Sequence, residues 1–193
     1  MVLHTHKAAT KLNKFVPFEQ MLGPLLIELD SQADSRGSSV KIKIPDFFLK
    51  VPSEVSLFLV QNPFAHTIRG MHFQISPYTE QKILTCVRGS IFDVLIDTRR
   101  NSRTFGKWTS VSLSDKGARA LYIPSGIAHG YQTLEADTYL IYEMHGYYSP
   151  AHAIVINPFD THLEIKWPEA CKVISQRDEN SIGWNDYLTK FRD

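Results

Sequence analysis

Residues 83–96 read ILTCVRGSIFDVLI, and this stretch decides the class of fold. Two apolar runs, 83–87 and 91–96, stand on either side of Arg88-Gly89-Ser90. Short runs rich in Ile, Leu, Val and Phe are typical of strands, and a glycine between polar residues is typical of a tight turn. The stretch therefore predicts two strands joined by a tight turn.

Similar short runs continue on both sides of this stretch, from residue 57 to residue 144. Residues 109–113 alternate polar and apolar side chains, as a half-buried strand does. Further strands are predicted at 120–123, 130–133 and 138–144. Many short strands with few helices between them predict a mainly β fold, an antiparallel β-sandwich or jelly-roll barrel.

The two ends of the chain differ from this strand-rich middle. A short helix is predicted near residues 17–22, and the apolar pattern of residues 181–192 predicts a C-terminal helix. The sequence DSRG at residues 34–37 predicts a turn. Because there is no repeat and no low-complexity linker, we expect one domain over residues 1–193, with its core at about residues 30–180.

The composition is that of an ordinary globular protein. Lys and Arg number 21 against 20 for Asp and Glu, so the formal net charge is +1. This balance gives no reason to expect a nucleic acid or an anionic membrane as a partner. The N-terminus lacks an apolar signal segment and no stretch approaches ~20 apolar residues, so we expect a cytoplasmic protein. The two cysteines are far apart and indicate neither a disulfide framework nor a zinc knuckle.

Three clusters in the strand-rich region carry side chains suited to chemistry. His72 and Gln74 lie in one extended run and point to the same face. His129 ends a P-x-G-x-x-H sequence, a turn that delivers the histidine into a barrel interior. Tyr139 and Tyr142 face opposite ways in a regular strand, so at most one of them lines a given pocket.

A metal-dependent cupin enzyme is one alternative, because P-x-G-x-x-H resembles the second motif of metal-binding cupins. Those proteins usually supply an H-x-H pair and a carboxylate from their first motif. Here the corresponding sequence is His72-Phe73-Gln74, with Glu80 as the next acid. Glutamine is a poor ligand for transition metals, so no metal site is predicted.

The order and spacing of several motifs resemble the dTDP-4-dehydrorhamnose 3,5-epimerase family of cupin-fold nucleotide-sugar epimerases. The resemblance covers about residues 30–180. It implies a cupin-type fold, epimerase activity next to the 4-keto group of a nucleotide-linked deoxysugar, no cofactor, and a homodimer. The segments that carry it include IRGMHFQ (68–74), RGSIFDVLIDTRR (88–100), TFGKW (104–108), LYIPSGIAHG (121–130) and YYSP (147–150).

The resemblance also implies roles for individual residues. His72 matches the family's catalytic base, Asp178 its carboxylate partner, Tyr142 the acid on the opposite face and Lys82 the cation at the sugar C4 oxygen. The residue types suit the chemistry, because a base takes the proton next to the ketone, a cation stabilises the enolate and an acid completes the inversion. The expected substrate contacts are Arg36, Gln61, Asn62, Arg69, His129, Tyr148 and Arg177.

The chain departs from the family pattern mainly on the nucleotide side. After residues 34–37 the family's aromatic residue is missing, and Lys41 stands where an acid is usual. Ala153 aligns with a family glutamate, and Glu143 with a family lysine. The nucleotide that carries the sugar can therefore be dTDP, the commonest in the family, or CDP or GDP. The inverted carbon can be C3, C5 or both. A catalytically inactive sugar-nucleotide-binding protein is the remaining alternative.

Overall fold

The computed structural model describes residues 14–42 and 54–191. The predicted domain limits at residues 1 and 193, and the predicted helix end at residue 192, lie outside these ranges. The strands are β1 (Lys14–Phe18), β2 (Met21–Glu28), β3 (Ser31–Asp34), β4 (Gly37–Val40), β5 (Val55–Asn62), β6 (Ile68–Gln74), β7 (Gln81–Arg88), β8 (Ser90–Asp97), β9 (Trp108–Ser114), β10 (Arg119–Ile123), β11 (Ile127–Thr133), β12 (Thr138–His145) and β13 (Ala153–Val155). The helices are α1 (Gln176–Glu179) and α2 (Trp184–Lys190).

The strands form two facing sheets, which confirms the predicted antiparallel β-sandwich. One sheet has the order β1-β2-β10-β7-β12-β5, and the other has the order β13-β6-β11-β8-β9. Neighbouring strands in both sheets are antiparallel. Strands β3 and β4 form a separate hairpin around the predicted turn.

The main core lies between the two sheets. Alternate side chains of β7, β10 and β12 point inward from one sheet, and those of β8, β9 and β11 point inward from the other. Burial of these apolar side chains is the principal favourable term in folding. Fully buried members are Leu84, Ile91, Leu95, Leu121, Ile123 and Leu140.

The tight turn between β7 and β8 carries the chain from one sheet to the other, because the two strands belong to different sheets. Gly89 occupies this turn with φ of 78°, a left-handed conformation that favours glycine. A Cβ atom at Gly89 would lie 2.5 Å from Thr138 Oγ1 at the start of β12. The glycine therefore lets the turn pack directly against β12.

The predicted helix near residues 17–22 is wrong. Residues 14–18 and 21–28 form the antiparallel pair β1 and β2, and β2 also pairs with β10. In β2 the side chains of Met21 and Ile27 are buried against the sheets. Pairing with β10 and burial of this apolar segment override its local helical pattern.

The C-terminal segment covers the outer face of the β6-containing sheet. Helix α2 lies within the predicted helical segment and is shorter than it. Its Trp184 and Tyr187 pack with Met71, Phe73 and Ile96 in a second apolar cluster. This docking holds α1, which precedes α2, against β6. Across residues 14–42 and 54–191, none of the helices has the length and apolar character needed to cross a membrane.

Candidate active site

A cavity of about 270 Å³ opens between the two sheets. One wall comes from β6 and β11, and the other from β5, β7 and β12. Apolar side chains such as Val60 and Ile154 share this lining with charged and hydroxyl-bearing ones. The sequence-predicted site residues that line it are Arg69, His72, Lys82, His129, Tyr142, Tyr148 and Arg177.

His72 and Asp178 form a hydrogen-bonded pair on the β6 wall. His72 Nε2 lies 2.8 Å from Asp178 Oδ1, and the side chains are 40% and 5% exposed, respectively. Asp178 sits in α1, whose N-cap residue Ser175 accepts a hydrogen bond at Oγ from the Asp178 backbone N–H. The other carboxylate oxygen, Oδ2, accepts a hydrogen bond of 3.2 Å from Gly70 N.

This pairing sets the proton arrangement of His72. Asp178 is ionised, because burial, which opposes ionisation, is outweighed by the hydrogen bonds from His72, Gly70 and Ser175, and the pKa of Asp178 is lowered. A carboxylate only accepts hydrogen bonds, so the neutral imidazole of His72 carries its proton on Nε2 and keeps the lone pair on Nδ1. His72 is therefore arranged as a base.

Gly70 allows this part of β6 to approach β11 closely. Its φ is 127°, and a Cβ atom there would lie 2.5 Å from Gly130 Cα. Any larger residue would push β6 away from β11, and with it the N–H that holds Asp178. Gly70 and Gly130 thus set both the close packing of β6 on β11 and the position of His72.

Lys82 projects into the cavity from β7. Its Nζ lies 2.9 Å from Glu80 Oε1, and both side chains are at least nine-tenths buried. Lys82 Nζ also donates a hydrogen bond of 3.2 Å to the backbone oxygen of His72. The ammonium group is therefore held beside the base, where it can stabilise an anion that develops there.

Tyr142 lies on the wall opposite His72, because β12 and β6 belong to facing sheets. Its ring meets the His129 ring edge-on, with a centroid distance of 5.9 Å. Burial is the first cause that raises the pKa of Tyr142 well above its ordinary value, and Tyr131 and Asp93 raise it further. The phenol is consequently protonated at neutral pH and can act as a proton donor.

His129 is the register partner of His72 on the adjacent strand β11. Its Nε2 lies 2.7 Å from Asp93 Oδ2, and neither side chain reaches solvent appreciably. Burial raises the pKa of Asp93, while its interaction with His129 lowers it. Of this second histidine–carboxylate pair, His129 lines the cavity and Asp93 does not.

Three predicted substrate contacts lie elsewhere than the cavity lining. Asn62 is fully buried behind Arg69, whose Nε donates to Asn62 Oδ1 at 2.9 Å. Gln61 is exposed on the edge strand β5. Arg36 is at the exposed β3–β4 turn, paired with Asp34 at 2.7 Å.

Sequence reasoning did not assign roles to Glu80, Asp93 or Tyr131, all of which contact predicted site residues. Tyr131 follows His129 by two positions in β11, so strand alternation alone places both on one face. Glu80 likewise precedes its partner Lys82 by two positions. Asp93 carries no comparable signal, because its partner His129 lies on a separate strand, 36 positions away. No cluster of three or more His, Cys, Asp or Glu side chains that would suit a metal ion occurs within the described residues.

The sandwich is of the cupin type, and its cavity holds an acid–base set of side chains suited to proton transfer. A sequence profile described as dTDP-4-dehydrorhamnose 3,5-epimerase matches residues 19–186. The chain therefore belongs to the dTDP-4-dehydrorhamnose 3,5-epimerase family, which confirms the predicted resemblance.

Two curated relatives are similar over part of their length. A dTDP-4-dehydrorhamnose 3,5-epimerase of Sinorhizobium fredii is 40% identical over 115 residues, which span 59% of this chain and 59% of the relative. A dTDP-4-dehydrorhamnose 3-epimerase of Streptomyces niveus is 38% identical over 115 residues, which span 60% of this chain and 56% of the relative. The chain thus matches less than two thirds of the length of each.

The fold comparison extends over nearly the whole of a solved structure. The dTDP-4-dehydrorhamnose 3,5-epimerase of Bacillus anthracis, determined with TDP and PPi bound, superposes with a TM-score of 0.82 and 30% identity. The match covers 89% of this chain and 99% of that chain. These relatives are epimerases, the class of enzyme that the sequence predicts.

Proposed function

We propose that this chain is an epimerase that inverts a carbon centre next to the 4-keto group of a nucleotide-linked deoxyhexose. The observation that carries the proposal is the opposition across one cavity of His72, backed by Asp178, and Tyr142. Inversion at carbon requires a base on one face and a proton donor on the other. Binding of a sugar nucleotide alone requires neither.

The reaction follows from these positions. His72 Nδ1 takes the proton from the carbon next to the ketone, and the electron pair moves to the ketone oxygen to form an enolate. Asp178 stabilises the imidazolium ion. Lys82 stabilises the enolate oxygen, and Glu80 holds the ammonium group in place. Tyr142 then delivers a proton to the opposite face. His72 loses its extra proton to solvent and Tyr142 regains one, so the cycle closes without a redox cofactor.

The substrate class follows from the charged side of the cavity. Arg69 and Arg177 supply cations suited to a diphosphate, and Tyr148, 66% exposed, offers a ring on which a base can stack. We propose a dTDP-linked sugar, with CDP and GDP as the competing carriers. Ala153 lines the cavity where the family usually has a glutamate, which supports an altered contact with the nucleotide sugar.

The carbon of the sugar that is inverted is C3, C5 or both. The relatives include a 3,5-epimerase and a 3-epimerase, so one fold accommodates either outcome. We propose further that the whole chain acts as one domain in the cytoplasm, where nucleotide-activated sugars are available.

We also propose a homodimer, because Arg36 lies on an exposed hairpin away from the cavity of its own chain. A second copy related by twofold symmetry would bring Arg36 to the neighbouring cavity in a reciprocal contact. Light scattering should therefore give twice the chain mass of 22.0 kDa. The monomer mass at all protein concentrations would contradict the proposal.

The decisive experiment is incubation with dTDP-, CDP- and GDP-4-keto-6-deoxyglucose in deuterated water. NMR then locates deuterium at C3 and C5 and detects inversion. Replacement His72→Ala should abolish both exchange and inversion, with a loss of about 10²–10⁴ in rate, because it removes the base. Deuterium exchange that persists in His72→Ala would refute the proposed function. So would wild-type protein that shows no exchange with any of the three nucleotide sugars.

A further inference from the structure

The side-chain amide of Gln74 contacts two separate segments of the chain at the cavity. Gln74 ends β6, is only 3% exposed, and lines the cavity together with His72. Its Oε1 accepts a hydrogen bond of 2.7 Å from Ser149 N. The acceptors within reach of its Nε2 are Tyr78 O at 2.9 Å, Glu80 Oε2 at 3.1 Å and Tyr147 O at 3.1 Å. An amide has two hydrogens, so one of them is shared between two of these acceptors.

These partners fix the orientation of the Gln74 amide. A backbone N–H only donates, so Ser149 N must face the amide oxygen. Backbone carbonyl oxygens and the Glu80 carboxylate only accept, so all three acceptors must face the NH₂ group. The reversed amide would place its oxygen against three other oxygens. Gln74 therefore has one orientation, and in it the amide holds both segments at once.

The first segment leads to the cation Lys82. Glu80 Oε2 accepts from Gln74, while Glu80 Oε1 lies 2.9 Å from Lys82 Nζ. The Glu80 and Lys82 side chains are only 9% and 7% exposed, so little water is available to replace a missing hydrogen bond. Gln74 therefore fixes the direction from which the Glu80 carboxylate holds the ammonium group.

The second segment carries Tyr148. Gln74 contacts Tyr147 O and Ser149 N, which lie immediately before and after it. Tyr148 lines the cavity and is 66% exposed, so the place of its ring depends largely on this backbone. Since the ring is the proposed stacking surface for the nucleotide base, Gln74 sets where the base can bind.

We propose that Gln74 is a positioning residue that aligns the two ends of the substrate. Through Glu80 it places Lys82 at the 4-keto oxygen of the sugar, and through the backbone it places Tyr148 at the base. This inference rests on the proposed function. Sugar and base belong to one molecule, so the spacing between Lys82 and Tyr148 decides whether both ends are engaged at the same time.

The test is Gln74→Met, which keeps the length of the side chain and removes its hydrogen-bonding groups. The assay uses whichever of dTDP-, CDP- and GDP-4-keto-6-deoxyglucose the wild-type protein accepts. We expect kcat to fall and KM to rise, each by about 3- to 10-fold, the effect of one hydrogen bond. Deuterium exchange and inversion should fall by the same factor, because Lys82 acts on the enolate that precedes both.

Double-mutant cycles separate positioning from a general effect on the fold. In a Tyr148→Ala background, Gln74→Met should raise KM no further, because the ring that Gln74 positions is absent. In a Glu80→Ala background, Gln74→Met should lower kcat no further, because the link to Lys82 is absent. An effect of Gln74 through the fold alone would be equally large in both backgrounds and in the wild-type protein.

Gln132→Met is the matched control, because Gln132 makes the same kind of contact outside the cavity. Its Nε2 donates to Glu169 O at 2.8 Å, and its Oε1 accepts from Glu169 N at 3.1 Å. Gln132 is fully buried on β11 and does not line the cavity. Gln132→Met should lower stability and leave kcat and KM unchanged.

A second replacement serves if Gln74→Met does not fold. Gln74→Asn keeps an amide and draws it back by one carbon–carbon bond, about 1.5 Å. The shorter side chain cannot reach Ser149 and Glu80 together. It should therefore show the same fall in kcat and the same rise in KM.

The failure of this inference is distinguishable from failure of the proposed function. Wild-type protein that inverts the sugar, together with Gln74→Met that keeps the wild-type kcat and KM, overturns the positioning role and leaves the epimerase intact. Undiminished effects of Gln74→Met in the Tyr148→Ala and Glu80→Ala backgrounds, or an equal loss in Gln132→Met, overturn it as well. Wild-type protein without exchange or inversion on any of the three nucleotide sugars overturns the proposed function and this inference together.

Discussion

Replacement of Asp178 by asparagine tests the proposed base most directly, because the side chain keeps its shape and loses its charge. In the wild-type protein both carboxylate oxygens accept, one from His72 Nε2 at 2.8 Å and the other from Gly70 N at 3.2 Å. Asparagine has only one oxygen for these two donors. Either orientation of the amide therefore breaks one of the two interactions.

The two orientations have different consequences. With the amide oxygen on His72, the NH₂ group faces the buried Gly70 N–H, and an unsatisfied buried donor costs about 1–3 kcal/mol. With the amide oxygen on Gly70, the NH₂ group faces His72 Nε2 and moves the imidazole proton to Nδ1, where the base should be free. Both orientations also lose the charge that stabilises imidazolium. We expect exchange and inversion to fall together by about 10²–10⁴.

The contribution of Asp178 to the free energy of unfolding should decrease at low pH. The pKa of Asp178 in the folded protein is lowered from its ordinary value of 3.8, because its hydrogen bonds outweigh its burial. Ionised Asp178 therefore contributes its full stabilisation at pH values above 3.8. This stabilisation is lost as the pH falls through the lower pKa that Asp178 has in the folded protein. The difference in unfolding free energy between wild type and Asp178→Asn, about 1–3 kcal/mol at pH 7, should shrink below about pH 4.

The assays are deuterium exchange by NMR and urea unfolding across pH. Asp186→Asn is the matched control, since Asp186 is an exposed carboxylate on α2 and does not line the cavity. It should change neither rate nor stability appreciably. An Asp178→Asn variant that inverts the sugar at the wild-type rate would show that His72 needs no carboxylate partner, and the argument for its tautomer would be refuted.

Three more replacements give separate expectations. Tyr142→Phe should keep deuterium exchange and lose inversion, since His72 still removes and returns a proton on one face; wild-type inversion by NMR would assign Tyr142 to packing alone. Lys82→Met should lower kcat and destabilise the protein by about 1–3 kcal/mol, because Glu80 is left buried without its cation. Adding Glu80→Gln to this variant should restore stability but not kcat. Gly70→Ala should lower both urea stability and activity, because its Cβ would lie 2.5 Å from Gly130 Cα; a crystal structure with β6 unmoved would argue against this.

Much of the fold was predictable from the sequence because a strand in a two-layer protein leaves a local pattern. The runs at residues 83–87 and 91–96 became β7 and β8, since alternate apolar side chains must enter the core. His72 and Tyr142 were singled out from clusters within single strands, and their roles as base and acid came from the family resemblance. The pair His72 and Asp178, separated by 106 positions, came from family resemblance and from no local signal.

The tertiary structure decided which polar groups meet. Residues 17–22 have a local helical pattern, yet pairing of β2 with β1 and β10 makes this region extended. Asn62 accepts a hydrogen bond from Tyr131, 69 positions away, because β5 and β11 belong to facing sheets. The physical reason is that apolar periodicity depends only on neighbours along the chain. The partner of a buried donor or charge depends instead on which strands pack together, and burial makes an unpaired polar group too costly to leave unmatched.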